Sequence, residues 1–522
     1  MTITSGLKGS RRLSAALAGV VAALVALAVG ELMAGLITGG RSPVVAVGEV
    51  VIDNTPKWAK DFAIDNFGTN DKKALVVGIL VILFVIACVI GLVAARRLWL
   101  GVVGIALFGV VGALAGVDDI QAPSWVAATF PAIIGAGAGI VALRLLRRVP
   151  GSPIGDPEPT GGRVVDRRTF LVMSGLVGVA AAGLGAAGRQ LQNRGAAIAS
   201  RAAVALPRPA APLAPVLSGV EVGVEGVSRF ITPNRDFYRI DTALVAPQVT
   251  ADGWTLEVTG MVERELELTY DELLGRPDVM EADITMACVS NEVGGSLVGN
   301  ARWLGVPLAN VLREAGVQAG ATQIVPRSVD GFEAGFPTET ALDGRTALIA
   351  FGMNGEPLPI DHGFPARLVV PGLYGYVSAT KWLKELELTT LEAFNSYWVR
   401  PGRGWAKLAP VKTQCRMDVP RGLSTLAPGP VAVAGVAWAP TRGITKVEVQ
   451  IDDEPWREAR LGAEQASTTW RQWVLDWQAT PGVHTLRARA TDGTGTTQPE
   501  ERRPPIPDGA QGWPTKTLTI SG

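Results

Sequence analysis

The sequence predicts a multi-domain membrane protein with an N-terminal α-helical bundle of five transmembrane spans, a central mixed α+β domain and a C-terminal immunoglobulin-like β-sandwich. A chain of 522 residues is several times longer than a typical domain, so more than one folding unit is expected. Hydrophobic residues make up 48% of the chain and charged residues only 18%, which is typical of membrane spans joined to a soluble part. Changes in composition divide the chain into a membrane anchor (1–190), a Pro/Ala-rich tether (191–221), the mixed domain (222–407) and the sandwich (408–522).

Charge, cysteine and histidine content exclude several classes of function. Lys plus Arg and Asp plus Glu number 48 each, so no nucleic acid or other polyanion is expected as a partner. The three cysteines lack any CxxC spacing, and with two histidines the chain cannot form a CxxCH haem site or bind a haem through two imidazoles in its membrane part. We therefore expect no haem, iron–sulfur cluster or disulfide framework in this chain, and an electron relay on a separate protein.

Five apolar runs predict the membrane spans. Four of them approach the ~20 residues needed to cross ~30 Å of hydrocarbon, namely Leu13–Ile37, Ala74–Ala95, Leu98–Val117 and Trp125–Leu143. The fifth, Phe170–Gly188, is rich in Gly and Ala and follows the flexible linker Pro150–Gly162. These runs predict that the lipid bilayer is a partner of the first 190 residues.

Arginine and lysine positions predict the orientation of these spans, because cytoplasmic loops accumulate positive charge near span ends. The turn between spans three and four carries Asp118 and Asp119 without Lys or Arg, as an outer turn should, whereas Lys72 and Lys73 at the outer end of span two depart from the rule. The predicted inner segments carry Lys8, Arg11, Arg12, Arg96, Arg97, Arg144, Arg147, Arg148, Arg163, Arg167 and Arg168. With five spans, the soluble part is expected on the extracytoplasmic side of the cell membrane.

Two arginines directly precede the fifth span. Arg167 and Arg168 are followed by Thr-Phe-Leu and a weakly hydrophobic run, a pattern that resembles the twin-arginine export signal. The alternative is an ordinary cytoplasmic arginine pair beside a span. Export by the twin-arginine route carries folded proteins, which suits an enzyme that receives a bulky cofactor before translocation.

The soluble part shows strand patterns toward its C-terminus. Pro and Ala alternate from Leu206 to Pro215, which predicts an extended tether. Lys446–Ile451 places Val447, Val449 and Ile451 on one face, and His484–Ala490 alternates in the same way. These runs predict half-buried strands of a sandwich, and its expected core tryptophans are Trp438, Trp470, Trp473 and Trp477.

The segment around Cys288 is the most informative stretch of the chain. It reads DITMACVSNEVGG over Asp283–Gly295, followed by GNARWLGV over Gly299–Val306, NGEPLP over Asn354–Pro359, HGFPAR over His362–Arg367, PGLYG over Pro371–Gly375 and Lys381-Trp382. In order and spacing these segments resemble the sulfite oxidase family over about Arg229–Leu388. The sandwich resembles the dimerisation domain of that family, which implies a possible homodimer, and the five spans resemble its membrane-anchored bacterial branch.

The resemblance implies a molybdenum–molybdopterin centre in which Cys288 is the protein ligand to the metal. A lone cysteine after an apolar run is by itself more often inert packing. Gly294, Gly295 and Gly299 permit close approach to a ligand, and a soft thiolate suits a high-valent metal with sulfur co-ligands. Cys88 and Cys415 lie in an apolar span and a strand pattern, so we expect both to be packing residues.

The resemblance also implies the residues that contact the cofactor. His362 and Arg367 match the pair that contacts the pterin and its phosphate, and imidazole and guanidinium are suitable donors for these groups. Further predicted contacts are Tyr238, Arg239 and Asp241 in an early segment, Ser328 in a strand, and Ser378, Thr380 and Lys381 in a phosphate-binding turn. The alternatives are a structural loop histidine for His362 and a solvated strand-end residue for Lys381.

The implied reaction is a two-electron oxygen-atom transfer, but the sequence leaves the substrate open among sulfite, an S- or N-oxide and an oxidised methionine side chain. Sulfite-oxidising members carry an arginine a few residues after the metal cysteine, where this chain has Asn291-Glu292-Val293. A carboxylate there would repel an anion. Arg302 is predicted either to compensate as a catalytic residue or to form a structural ion pair. A different class, a membrane-tethered binding protein without the metal, also remains open.

Overall fold

A computed structural model of the protein describes residues 3–37, 40–55, 71–117, 124–148, 165–192, 196–243 and 245–522. The chain divides into two compact units. The first consists of Met1–Gly195 with Ala243–Ala246, and the second of Ala196–Thr242 with Pro247–Gly522. The predicted linker Pro150–Gly162, the turn with Asp118 and Asp119, and the side chains of Arg167 and Arg168 lie outside the described part.

The first unit is helical in its described residues. Its helices are α1 (Ile3–Leu36), α2 (Pro43–Asn54), α3 (Asp71–Ala94), α4 (Leu98–Val117), α5 (Trp125–Arg148) and α6 (Val165–Gln192). Four of them contain stretches long and apolar enough to cross a membrane, Arg12–Leu36, Val77–Ala94, Leu98–Val117 and Trp125–Leu146, at the first four predicted spans. Helix α6 is apolar only over Leu171–Ala186, so the fifth span stays a prediction. Helix α2, with 12 residues, is too short to span and was not predicted.

Small residues bring the helices of the first unit into backbone contact. A Cβ atom at Gly19 of α1 would lie 2.1 Å from the backbone oxygen of Ala87 in α3, and one at Gly91 would lie 2.1 Å from that of Ala15. Each helix therefore contributes two small residues four positions apart to the same crossing. Association of apolar helices depends on such close packing, because lipid tails are as apolar as the helix side chains.

The second unit begins with a helix and two sheets that carry the predicted site. Helix α7 (Ala196–Ala203) comes first. The first sheet has the strand order β2-β1-β10-β5-β6, and the second has the order β3-β4-β7-β8 with β9 paired to β7. In chain order these elements are β1 (Thr255–Gly260), β2 (Leu266–Thr269), α8 (Tyr270–Leu274), β3 (Met280–Ala287), β4 (Val298–Pro307), α9 (Leu308–Ala315), β5 (Gln323–Ser328), β6 (Phe336–Pro337), α10 (Thr338–Leu342), β7 (Leu348–Met353), β8 (Glu356–Pro357), the 3₁₀ turn Ile360–His362, β9 (Arg367–Val369), α11 (Gly375–Ser378) and β10 (Leu383–Thr389).

Apolar strands and one amphipathic helix build the core of this region. All six residues of β7 are buried, in agreement with an apolar run covered on both faces. Helix α9 buries Leu308, Val311, Leu312 and Ala315, the i, i+3, i+4, i+7 pattern of one helix face, and ends at Gly316 with φ 70°. These elements position the mixed α+β core beside the ends of β3 and β9.

The C-terminal part of the second unit forms two packed sheets. Their orders are β11-β13-β17-β16 and β12-β19-β18-β14-β15. The predicted strands at Lys446–Ile451 and His484–Ala490 are confirmed within β14 and β18, with Val447, Val449 and Ile451 buried. The immunoglobulin-like assignment stays a prediction. The strands are β11 (Gln414–Val419), β12 (Thr425–Leu426), β13 (Gly429–Trp438), β14 (Ile444–Ile451), β15 (Arg457–Glu458), β16 (Arg460–Leu461), β17 (Arg471–Ala479), β18 (Gly482–Asp492) and β19 (Thr515–Ile520).

The four predicted core tryptophans are buried but divide between two clusters. Trp473 and Trp477 lie in the core of the sandwich, as predicted. Trp438 and Trp470 instead pack with Ala287, Val289 and other residues of the mixed domain. The prediction was wrong for Trp438 and Trp470. Alternation identifies the buried face of a strand, but it does not identify which part of the chain packs against that face. These two tryptophans join the sandwich to the strand that precedes Cys288.

The segment predicted as a tether lies along the surface of the second unit. Arg201 of α7 donates to the backbone oxygens of Pro357 and Leu358, at 2.6 and 2.8 Å. Ala211 forms a parallel β-bridge with Met280, and the Leu217 amide donates to Gln465 Oε1 at 2.9 Å. The chain is extended here, as the Pro/Ala alternation predicts, and it is bound both by residues beside the mixed sheets and by the C-terminal part of the same unit.

Replacement of Trp470 is expected to weaken the packing between the C-terminal sheets and the strand that precedes Cys288. Its amide donates to Thr285 Oγ1 at 2.7 Å and its indole Nε1 donates to the Phe230 carbonyl at 2.9 Å. Trp470→Ala should lower the free energy of unfolding by about 3–5 kcal/mol, the usual cost of a large buried aromatic truncation. Denaturant unfolding of the full chain in detergent measures this, with Leu423→Ala, at a side chain 91% exposed, as the control. Equal stability of the two variants would contradict the role of Trp470.

Candidate active site

A cavity opens in the second unit beside the end of β3. It is partly open to solvent and is lined by polar, charged and aromatic side chains. The predicted site residues that line it are Tyr238, Asp241, Cys288, Ser328, His362, Arg367 and Lys381. The structure thus brings together residues from segments that are about 140 positions apart in sequence, between Tyr238 and Lys381.

Cys288 follows directly after β3 and begins a tight turn. Its amide donates to the Leu297 carbonyl at 2.9 Å, and its own carbonyl accepts from the Asn291 amide at 3.1 Å. Burial raises the pKa of the thiol, while the Ser290 amide and hydroxyl and the Val289 amide oppose this rise. The thiol is therefore protonated at neutral pH unless a cation or metal stabilises the thiolate.

The glycines near Cys288 have a more local role than was predicted. A Cβ atom at Gly295 would lie 2.6 Å from Asn291 Oδ1, and one at Gly299 would lie 2.8 Å from the Phe237 ring. Gly294 has φ 76°. These glycines accommodate protein atoms and the turn itself, so they shape the cavity wall.

His362 and Arg367 are held together beneath the cavity. His362 Nε2 lies 3.0 Å from the Asn234 carbonyl, an acceptor, so Nε2 carries the proton. Burial, aided by the Arg367 charge, lowers the pKa of His362 to about 4, so the imidazole is neutral at pH 7. The Arg367 guanidinium donates to the carbonyls of His362 at 3.1 Å, Leu368 at 3.3 Å and Ala379 at 3.4 Å.

Arg367 is the least compensated charge of the cavity. It is buried, its hydrogen bonds go to backbone carbonyls, and within the described ranges no carboxylate lies within 4.0 Å of its guanidinium. Its guanidinium carbon lies 5.2 Å from the Trp303 ring centroid. Burial lowers the pKa of Arg367 to about 10, which leaves it charged at neutral pH. A buried cation without a counter-ion is costly, so the site favours an anionic ligand.

Lys381 belongs to an ion-pair network beside Arg367, since a Cβ atom at Gly363 would lie 3.0 Å from Lys381 Cβ and 3.2 Å from Arg367 Cβ. Its Nζ lies 2.9 Å from Asp241 Oδ2, and Arg239 Nε also lies 2.9 Å from that oxygen. Arg239 reaches Asp361 at 3.1 Å, and its own side chain is not among those that line the cavity. With its side chain only 8% exposed, Lys381 is not a solvated strand-end residue. Burial lowers the pKa of Lys381 to about 8.

Tyr238 presents a hydroxyl to the same cavity. Its ring stacks on Phe237 at 5.2 Å between centroids. Burial first, and then the Cys288 charge, raise the pKa of Tyr238 well above its usual value. The phenol therefore stays protonated and is a hydrogen-bond donor throughout the neutral range.

The predicted hydroxyl residues divide into lining and supporting groups. Ser328 lines the cavity and its Oγ accepts from the Asp330 amide at 3.3 Å. Ser378 Oγ donates to the Tyr374 carbonyl at 3.1 Å and does not line it. Thr380 is fully buried between two lining residues, and among the described residues its Oγ1 has no hydrogen-bond partner. An orphaned hydroxyl at this position indicates a missing polar neighbour.

Arg302 and Glu292 do not line the cavity, and Arg302 forms the ion pair that was one of its two predicted roles. Arg302 forms a bidentate pair with Asp283, with both N–O distances 2.9 Å, and is not a lining residue. The geometry thus agrees with the structural ion pair and removes the basis for a catalytic assignment. Glu292 is exposed and is not a lining residue, so its carboxylate does not contact the cavity. The antiparallel register of β3 and β4 places Arg302 opposite Asp283, and the sequence alone does not give that register.

Aromatic lining residues and Asp330 complete the cavity. Sequence reasoning did not assign Phe332, Tyr376, Trp382 or Trp398 to the site. Trp382 has φ 48° and donates its indole N–H to the Ile360 carbonyl at 2.9 Å, so its position is fixed by the adjacent 3₁₀ turn. Only the proximity of Trp382 to Lys381 in sequence offered a signal; Trp398 lies in a loop without one.

The residues present fit a molybdenum–pterin group. Within the described part of the chain no cluster of three or more His, Cys, Asp or Glu side chains is arranged to hold a metal ion. Cys288 supplies one soft sulfur ligand, so further donors would come from the group itself. The buried Arg367 and the orphaned Thr380 hydroxyl fit an anionic, polar ligand. The predicted cofactor therefore agrees with the donor set of the cavity.

Comparison with known proteins gives an independent view of the same region. Residues 243–398 match the family described as the oxidoreductase molybdopterin binding domain. This range contains Cys288, Ser328, His362, Arg367, Ser378, Thr380 and Lys381, whereas Tyr238, Arg239 and Asp241 precede it.

Two curated relatives and one solved structure are similar to the chain. Mitochondrial sulfite oxidase of Homo sapiens is 30% identical over 322 residues, which cover 53% of this chain and 58% of that protein. NADH nitrate reductase of Solanum lycopersicum is 28% identical over 333 residues, 52% of this chain and 36% of that protein. The chain therefore spans less than two thirds of either relative. The sulfane dehydrogenase SoxCD of Paracoccus pantotrophus has a TM-score of 0.49 and 23% identity, over 57% of this chain and 85% of that chain.

Retention of an anionic cofactor is expected to depend on pH through Lys381. Its ammonium is charged below about pH 8 in the folded protein, and a bound phosphate would move its pKa back toward the ordinary 10.5. Release of a bound pterin should therefore accelerate as pH rises from about 8 to 10.5, and Lys381→Met should remove this dependence. Pterin fluorescence after dilution measures the release rate, with Lys384→Met, in the strand that follows Lys381, as the control.

The cofactor-free protein is expected to show the opposite trend in stability. Because the folded-state pKa of Lys381 lies below its unfolded value, the unfolded chain binds more protons over that window. This contribution to the free energy of unfolding therefore rises with pH from about 8 to 10.5. Pterin release that is as pH-dependent in Lys381→Met as in the unsubstituted chain would contradict the assignment.

Proposed function

We propose an activity for this chain on the basis of its family. The matched domain and the relatives assign the chain to the sulfite oxidase family of molybdopterin-dependent oxidoreductases. The proposed reaction is a two-electron oxygen-atom transfer on a small sulfur-containing or related oxo substrate. The observation that carries it is the placement of the Cys288 thiol in one cavity with the buried, carboxylate-free guanidinium of Arg367. When bound, the molybdenum–pterin group supplies the oxygen-atom and electron transfer.

The residues of the chain hold and orient that group. The Cys288 thiolate is the proposed protein ligand to molybdenum, which replaces the proton that burial otherwise retains on the sulfur. Arg367 and Lys381 are the proposed partners of phosphate or pterin oxygens, since both are buried cations at the cavity wall. Neutral His362 and protonated Tyr238 contribute polar groups without adding charge.

The proposed substrate class is the small oxo compounds of sulfur, with sulfite as the reference. The named activities of the relatives, sulfite oxidation and nitrate reduction, act on small oxyanions. The relatives favour neither of the alternatives that the sequence left open, a sulfoxide or methionine sulfoxide reductase and a non-catalytic binding protein. Electrons are proposed to pass to a separate electron-transfer protein, and two chains to pair through the sandwich.

Cellular placement is the second part of the proposal. The four long apolar helices of the first unit are compatible with a membrane anchor. We place that anchor in the cell membrane, with α6 as a fifth span and the second unit on the extracytoplasmic side. The arginine distribution and the pair Arg167-Arg168 support this orientation.

Replacement of Cys288 tests the cofactor assignment. The purified chain should carry about one molybdenum atom, and Cys288→Ser should abolish sulfite oxidation, because a hydroxyl is a poor substitute for a soft thiolate ligand. Cys415→Ala, which removes a buried thiol of β11, should keep both metal and activity. Metal analysis and steady-state kinetics with an artificial electron acceptor measure these outcomes. An active chain without molybdenum would contradict the proposed function.

Reporter fusions test the orientation. A reporter after Gly522 should report the extracytoplasmic side and one near Gly155 the cytoplasm, since the arginines flank the latter. Arg167→Lys with Arg168→Lys preserves the charge and should reduce export of the soluble part at least tenfold if the pair is an export signal. Arg147→Lys with Arg148→Lys is the matched control in the same loop. If neither double substitution changes export, Arg167 and Arg168 act as ordinary cytoplasmic charges beside a span and not as an export signal.

A further inference from the structure

An arginine beside the cavity remains without a counter-ion after the cofactor residues are assigned. The Arg403 guanidinium carbon lies 4.6 Å from the Tyr397 ring centroid and 5.7 Å from that of Trp398, a lining residue of the cavity. The residue is half-buried. Within the described chain no carboxylate lies within 4.0 Å of this guanidinium and none of its side-chain N–H groups has an acceptor.

The neighbouring Arg400, in the same loop, is neutralised by a carboxylate. Its guanidinium also lies over the Tyr397 ring, at 5.9 Å, but it pairs with the Glu333 carboxylate. Glu333 is shared with Arg327, which also reaches Glu385 at 3.4 Å. The acidic groups of this region therefore pair with Arg327 and Arg400, and Arg403 is held by aromatic faces instead.

The loop that carries Arg403 is tied to the cavity wall. The Tyr397 amide donates to the Glu333 carbonyl at 3.1 Å, and the Tyr397 ring lies 6.0 Å from Phe332, another lining residue. Gly402 and Gly404, with φ 85° and 84°, form a turn that few other residues adopt. Stacking on two rings orients the planar guanidinium and keeps its donors available for a ligand.

The other cations near Cys288 already have a partner or an assigned role. Arg302 pairs with Asp283, and the position after Cys288 where sulfite-oxidising members carry an arginine holds Asn291-Glu292-Val293. Arg367 and Lys381 are assigned to the cofactor. Arg403 lies over the ring of Trp398, a lining residue, and no described carboxylate neutralises it, so it is the remaining candidate to bind an oxyanion at this wall.

We propose that Arg403 is the substrate-binding residue that recognises a small oxyanion beside Trp398 of this cavity, in place of the arginine absent after Cys288. This inference rests on the proposed function and specifies its substrate class as anionic. A guanidinium fork binds two oxygens of a tetrahedral or pyramidal oxyanion, and such charge-assisted pairs are stronger than neutral hydrogen bonds. The Trp398 ring would then form the wall against which the anion is held.

Sulfate binding to the molybdenum-loaded full chain in detergent tests the proposal without turnover. Arg403→Gln should raise the sulfate dissociation constant measured by calorimetry by about ten- to a hundredfold, the loss expected for one charge-assisted contact. Arg400→Gln, the matched control, should change it less than about twofold because its charge is already paired. The Michaelis constant for sulfite should rise by the same factor as the sulfate dissociation constant, with a smaller change in kcat. Higher salt should reduce the difference in sulfate dissociation constant between Arg403→Gln and the unsubstituted chain, because it screens the charge of Arg403.

Each result decides for or against Arg403. Equal sulfate affinity of the unsubstituted chain and Arg403→Gln, or equal losses in both arginine variants, would overturn the proposal. Molybdenum content and the thermal midpoint of every variant distinguish a binding loss from misfolding. Should Arg403→Gln not fold, Arg403→Lys keeps the charge without the fork, and affinity equal to that of the unsubstituted chain would also overturn it. Molybdenum-free unsubstituted protein would instead contradict the proposed function itself.

Discussion

The site depends on one electrostatic constraint, the burial of the Arg367 guanidinium among backbone carbonyls. Carbonyl dipoles stabilise the cation only in part, and the lowered pKa of Arg367 reports the remaining penalty. An anionic ligand relieves this cost of burying the Arg367 charge. The same burial therefore strengthens the binding of a phosphate-bearing group. His362 takes part by staying neutral: a second charge beside Arg367 would raise the cost further.

Paired and unpaired arginines have separate roles in this fold. Arg302 with Asp283 and Arg400 with Glu333 are internally neutralised, and each joins segments that are distant in sequence. Arg367 and Arg403 rest instead on the Trp303 ring and on the Tyr397 and Trp398 rings. Aromatic faces hold a guanidinium in place without neutralising its charge, whereas a carboxylate would neutralise it. The arginines of this fold therefore differ in whether a carboxylate or an aromatic ring is their main neighbour.

Sequence patterns predicted the elements of the fold better than the contacts between them. Alternation located the strands that contain Val447 and Leu486, and apolar length located the first four candidate spans, because both follow from local periodicity. Motif spacing placed Cys288, His362 and Arg367 in one cavity. The partner of Arg302 depended on strand pairing, and the position of Trp398 on a loop without periodicity, so neither followed from the sequence. Trp470 was assigned to the wrong core for the same reason.

The strand that leads to Cys288 lies at the edge of its sheet, since β3 pairs with β4 alone among the strands of that sheet. Its free side is covered from the sandwich: the Thr285 amide donates to the Thr468 carbonyl at 3.0 Å, and Thr468 Oγ1 donates to the Asp283 carbonyl at 2.7 Å. A ribosome must therefore synthesise almost the whole protein before this edge acquires its last neighbours. A chain that terminates near residue 460 would lack these contacts and expose the edge of β3, and exposed strand edges are prone to aggregation.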